Sequence, residues 1–168
     1  MRILLLLFIL LPGCATVYTP VPENYTGPVS IIESSEKRHS GSKVDLFYLE
    51  KVDGKSIKSS LSATRSATYG QRANLITRLI ESKIPSKEVK FTIVGRTEHA
   101  MPIQALSDAV YELRGDINFT PKAGERYIVK GVLAKEYSSV WLEIKETGEV
   151  VKAKIENHGD SELGFFEK

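Results

Sequence analysis

Cysteine is nearly absent from this chain of 168 residues: there is one, Cys14. Beyond residue 14 no thiol remains, which excludes a disulfide framework and any cysteine-based metal site in the rest of the chain. Histidine is almost as scarce, with His39, His99 and His158 spread too far apart to give a metal-ligand spacing. No Gly-x-Ser-x-Gly elbow stands around the serines of Ser59-Ser60-Leu61-Ser62 or Ser138-Ser139. Gly70 and Gly95 do not belong to a phosphate-binding glycine loop. Charge of one sign is also lacking, since the formal net charge is only +2, and nothing calls for a polyanionic partner such as nucleic acid.

Long hydrophobic runs are missing except at the start. Met1-Arg2 precedes an unbroken apolar stretch from Ile3 to Leu11, then Pro12, Gly13 and Cys14. A charged start, an apolar centre and a small-residue end make an export signal. Crossing a membrane takes about 20 apolar residues, roughly twice this run, so the segment is expected to be cut off. Leu11-Pro12-Gly13-Cys14 resembles the lipobox of bacterial lipoproteins, in which the cysteine takes a diacylglycerol and the new N-terminus is acylated, palmitate being a typical chain. The resemblance implies cleavage before Cys14 and anchorage by lipid on Cys14. Several acyl chains, at about 0.8 kcal/mol per buried methylene, hold a protein to a membrane permanently. Ala15 follows the cysteine, and not the aspartate that resembles an inner-membrane retention signal, so the periplasmic face of the outer membrane is the expected location. Loss of residues 1–13 removes one charge, Arg2, taking +2 to +1.

Over the whole chain, 42% hydrophobic and 26% charged residues make the composition of one globular domain. Four stretches are expected: a signal at 1–13, a lipidated N-terminus and flexible tether at 14–42, a domain at 43–156 and a loosely held tail at 157–168. The tether reading rests on Pro20, Pro22, Gly27, Pro28 and many polar residues, with one edge strand near 28–33. Lys43 to Lys51 reads as a strand, closed by Asp53-Gly54, with a return over 56–61. Val89, Phe91 and Ile93 alternate with Lys90 and Thr92 in a half-buried strand. Further strands are expected at 100–106, 109–119, 126–134, 138–145 and 149–155, the last two closing through Thr147-Gly148. Residues 62–81 are ambiguous: a loop or helical turn through Gly70, then a strand or helix over 72–81. Turn chemistry about every ten residues predicts an all-β fold, an antiparallel β-sandwich of immunoglobulin-like type with at most one short helix around 62–81.

Phe119 to Gly131, carrying Pro121-x-x-Gly124-x-x-Tyr127, then Val140-Trp141-Leu142 and Glu146-Thr147-Gly148-Glu149-Val150-Val151, resembles the closing half of small Gram-negative envelope lipoproteins. That resemblance implies an immunoglobulin-like or transthyretin-like β-sandwich in the cell envelope, with no catalytic residues to carry over.

The chemistry-bearing residues are weighed as follows. Glu143, Glu146 and Glu149 could pair for glycosidase work, but charges beside a turn are usually solvated. Arg65, Arg72, Arg78 and Arg96 could line a groove for an anionic glycan or lipid headgroup, or simply face water. Trp141 and Tyr48, Tyr111, Tyr127 and Tyr137 are expected to pack the core, with Tyr137 in a turn as the exception. Arg96, His99 and Tyr137 are the residues expected to touch a partner. The reading is a non-catalytic binding or structural accessory of the envelope, with an envelope protein or glycan as partner and no metal or cofactor. Two others stand beside it: an inhibitor of a wall-degrading enzyme, inserting a rigid loop at 96–102 or 135–139, and a peptidoglycan- or glycan-acting hydrolase.

Overall fold

The computed structural model describes residues 17–168; the signal segment and Cys14, with the expectations placed on them, lie outside the described residues. Ten strands make two sheets packed face to face, the expected antiparallel β-sandwich. The first sheet holds β1 (Val29–Glu33), β5 (Glu81–Pro85), β8 (Arg126–Val132), β9 (Tyr137–Ile144) and β10 (Ile155–His158) in the order β10-β9-β8-β1-β5. The second holds β2 (Ser35–Arg38), β3 (Lys43–Val52), β6 (Val89–His99) and β7 (Glu112–Phe119) in the order β2-β3-β6-β7, with β4 (Lys55–Ser56) beside β3. Every pairing is antiparallel except β1 with β8, which run parallel.

Alternation along the strands builds the core. Phe47 and Leu49 of β3, Phe91 and Ile93 of β6, Tyr127 and Val129 of β8 and Val140 and Leu142 of β9 meet between the sheets. At Gly131 a Cβ would lie 2.4 Å from the Phe47 ring and 2.6 Å from the Ser139 carbonyl. Glycine there lets the Phe47 ring lie against β8. The Asp53-Gly54 turn, with positive φ at both residues (51° and 74°), is the tight hairpin that the pair favours.

Much of the stretch expected as a tether is part of the sandwich, with the Tyr18 N–H donating to the Ser56 carbonyl and its side chain packed against the core. β1 is an interior strand between β8 and β5, and β2 pairs with β3 from Ser35↔Phe47 to Arg38↔Val44, so residues 29–38 belong to the sandwich. One residue, Ser34, separates the two strands as the chain passes from sheet to sheet; its N–H and hydroxyl both donate to the Ile80 carbonyl. The tail is also held. The Glu112 N–H donates to the Ser161 carbonyl at 3.0 Å and the Leu163 N–H to Val110 at 2.8 Å.

Three local expectations are corrected. After β4 the chain turns into a helix, α1 (Ser60–Thr68), capped by the Ser59 side chain, in place of a returning strand. Residues 71–80 are neither strand nor helix. Where a strand was expected at 100–106 there is a six-residue helix, α2 (Pro102–Ser107), with proline in its first turn and no buried residue. The last hairpin closes at Gly148 but is interrupted: only the Glu143↔Val150 bridge forms before β10 resumes at Ile155↔Val140.

Candidate ligand cavity on the outer face of the second sheet

On β6, Val94, Arg96 and Glu98 alternate with the core residues and so lie on the outer face. Val94 joins Val44, Leu46, Tyr48 and Leu75 in a second, smaller apolar cluster. This cover explains why Leu46 to Leu49 form an unbroken apolar run: β3 is buried on both faces.

The cover is held by hydroxyls. Ser60, Thr64 and Thr68, spaced four apart on α1, are its buried residues. Ser60 Oγ accepts from the Ile80 N–H at 2.8 Å, Thr64 Oγ1 from Arg78 at 3.0 Å and Thr68 Oγ1 from Ile76 at 3.1 Å. Four helical residues rise about 6 Å, and two residues of extended chain about 6.6 Å. The two periods match, so three hydroxyls satisfy every second N–H of an antiparallel extended segment.

Beyond α1 the outer face is a ladder of ions. Arg65 grips Glu98 with two bonds, Nε to Oε1 at 2.7 Å and Nη2 to Oε2 at 2.9 Å. Glu112 stands between Arg96, which donates through Nη1, and Arg114, whose Nη2 lies 2.6 Å from Oε1. Arg114 reaches on to Glu50 at 3.3 Å. Burial of Glu112 opposes its ionisation, but the hydrogen bonds from Arg96 and Arg114 outweigh that and hold its carboxyl below the ordinary value. The Tyr48 hydroxyl, buried beneath the ladder without a hydrogen-bond partner, is pushed well above its usual value by burial and by Glu50 and Glu112.

At the end of this face α1, the close of β6 and α2 surround a cavity of about 740 Å³. Arg65, Tyr69 and Arg72 come from α1 and the turn after it, and Arg96, Glu98 and His99 from β6. Met101, Ala105 and Leu106 of the α2 region, with Val110, supply apolar wall, and Lys168 comes from the tail. The His99 side chain is 1% exposed; its Nδ1 lies 3.9 Å from the Asp108 carboxylate and its Nε2 has no partner. Burial lowers its pKa, aided by Lys43, against a backbone hydrogen bond to Ala109 and the nearby Asp108 and Glu98. Arg96 Nε is likewise buried without a hydrogen bond.

Arg96 and His99 thus meet in one cavity, with Arg65 and Arg72 but without Arg78. Tyr137 does not join them. It begins β9 in the other sheet, with its hydroxyl on Glu156 and its ring 5.1 Å from that of His158. Cys14 lies outside the described residues. The proposed projecting loop 96–102 is instead the end of β6 and the start of α2, lining a concavity, and Tyr137 to Ser139 of the second loop are strand. Met101, Leu106 and Lys168 were missed. Pro102 was the available signal, since proline favours the first turn of a helix.

Glu98, the one carboxylate lining the cavity, is occupied by Arg65. Elsewhere Asp45 accepts from Thr97 Oγ1 and bonds His39 Nε2, both at 2.7 Å. The threonine hydroxyl donates to the carboxylate and not to the imidazole. Glu143 accepts from Trp141 Nε1 at 2.8 Å and does not line the cavity. Among the described residues no three His, Cys, Asp or Glu side chains are grouped to hold a metal ion. No family model, no curated protein and no solved structure matches the chain.

Proposed function

We propose that this chain is an exported lipoprotein, held by lipid on Cys14 at the periplasmic face of the outer membrane, whose sandwich serves as a non-catalytic binding accessory of the envelope. The cavity between α1, β6 and α2 carries the binding part of this reading. It has several cations, an apolar wall and one lining carboxylate, Glu98, already paired with Arg65, which suits recognition of an anion. The N-terminal motif carries the anchoring part. The resemblance of Phe119 to Val151 to envelope lipoproteins supports the same compartment. An inhibitor would need a rigid projecting loop, and residues 96–102 bound a concavity instead.

The test is capture of the native chain from crosslinked envelopes, beside a Cys14→Ala chain. The expected result is loss of the membrane fraction in Cys14→Ala, and with the native chain a reproducible envelope protein that Leu106→Asp fails to retain. Unchanged fractionation of Cys14→Ala would overturn the anchor, and recovery of cleaved glycan would overturn the non-catalytic role.

A further inference from the structure

We infer that the cavity takes an aliphatic carboxylate, a monoanionic head on an alkyl body. The inference deepens the binding-module reading and rests on it. Charge balance selects the head. Of the four permanent cations lining the cavity, Arg65 is paired with Glu98, Arg96 with Glu112 and Lys168 with Glu162. Among the described residues no carboxylate pairs with Arg72, which leaves one unit of positive charge for a ligand and so fits a carboxylate better than a dianion.

Two further observations point to a ligand rather than to a solvated face. His99 Nε2 is buried without a hydrogen-bond partner, and so is Arg96 Nε, whose nearest carboxylate oxygen is Glu98 Oε2 at 3.9 Å; both cavity-lining residues are themselves more than nine-tenths buried. Unpaired buried polar atoms are costly and are normally satisfied by something. The body of the ligand follows from α2: no residue of this helix is buried, yet Ala105 and Leu106 line the cavity with Met101, and Leu106 is 41% exposed. An alkyl chain against them would remove apolar surface from water. The volume lies within the ordinary range for small-molecule sites.

The methionines give a direct readout, since the chain has only Met1 and Met101. The full chain, in phosphatidylcholine nanodiscs and labelled with ¹³C at the methionine methyls, is titrated with octanoate, octyl phosphate and octanol. Octanoate should shift Met101 saturably with a Kd of about 1 mM or tighter, and octanol should bind about tenfold more weakly. Arg72→Gln, an exposed substitution that leaves the core intact, should weaken octanoate about tenfold and leave octanol unchanged, whereas Arg78→Gln should change neither. No saturable shift, equal binding of octanol, or equal effects of the two arginine substitutions would overturn the inference. Tighter binding of octyl phosphate than octanoate would overturn the assignment to a carboxylate. A silent Met101 in a chain that still anchors through Cys14 and captures its partner would sink this inference while leaving the binding-module reading intact.

Discussion

The second sheet has two faces that are stabilised by different physics. Its inner face is apolar and continuous, with Phe47, Leu49, Phe91 and Ile93 packed against the first sheet. Its outer face divides into a small apolar cluster around Tyr48, a helix docked through hydroxyls, a ladder of arginines and glutamates, and a cavity. Apolar packing involves no titratable group and is not weakened by charge screening, whereas the outer face depends on hydrogen bonds and charges. The inner face therefore sets stability and the outer face is free to carry a site.

The contrast breaks most sharply at Phe91. Phe91→Ala should cost about 3–5 kcal/mol in chemical denaturation, since the ring is fully buried. A loss below about 1 kcal/mol would mean that the sandwich core is not what holds the fold.

Next in size is Glu112→Gln, which deprives Arg96 and Arg114 of their shared carboxylate. A loss of about 1.5–3 kcal/mol is expected at neutral pH. The folded-state pKa of Glu112 is lowered, so its contribution is present above the ordinary carboxylate value and is lost as pH falls through the folded value. The deficit of Glu112→Gln should accordingly shrink in acid, and a deficit constant with pH would remove the ladder from the account.

Thr64→Val tests the hydroxyl docking. It keeps the shape and leaves the Arg78 N–H without its acceptor, at about 1–2 kcal/mol. Amide exchange at Ile76, Arg78 and Ile80 should accelerate together, because α1 and the extended segment separate as a unit. An unchanged exchange pattern would show that apolar contacts alone hold α1.

His99 contributes a smaller, pH-dependent effect. Its folded pKa lies below the ordinary 6.5, so the unfolded chain takes up the proton first and stability falls as pH drops from about 6.5 toward the folded value. His99→Gln should flatten that part of the stability curve. The smallest effect belongs to Arg65→Ala, whose side chain is half exposed: a few tenths of a kcal/mol, about the value of a surface ion pair, reduced further by salt.

Legibility in the sequence followed the same divide. β3, β6, β8 and β9 are visible because apolar alternation and turn residues such as Asp53-Gly54 act locally. β1 is legible as a strand near 28–33 but not as an interior one, and β2 is hidden in a stretch rich in proline and serine; both join the sheets through pairing with distant β5, β8 and β3. α1 buries hydroxyls in place of leucines, so it lacks the apolar stripe by which a helix is read. Arg65, Arg72 and Arg96 could be suspected of lining one groove, together with Arg78, which does not; that they meet His99, Leu106 and Lys168 there could not be read.

By itself the sequence determines the strand periodicity, the tight turns, the absence of any thiol after Cys14 and the lipobox-like start, since each depends on residues within a few positions of one another. Only the tertiary structure decides that β1 lies inside a sheet, that residues 71–80 are held by α1 hydroxyls and that, among the described residues, no carboxylate pairs with Arg72 in the cavity. Those outcomes come from long-range pairing and from the balance of charges gathered from separate segments, and no local pattern encodes either.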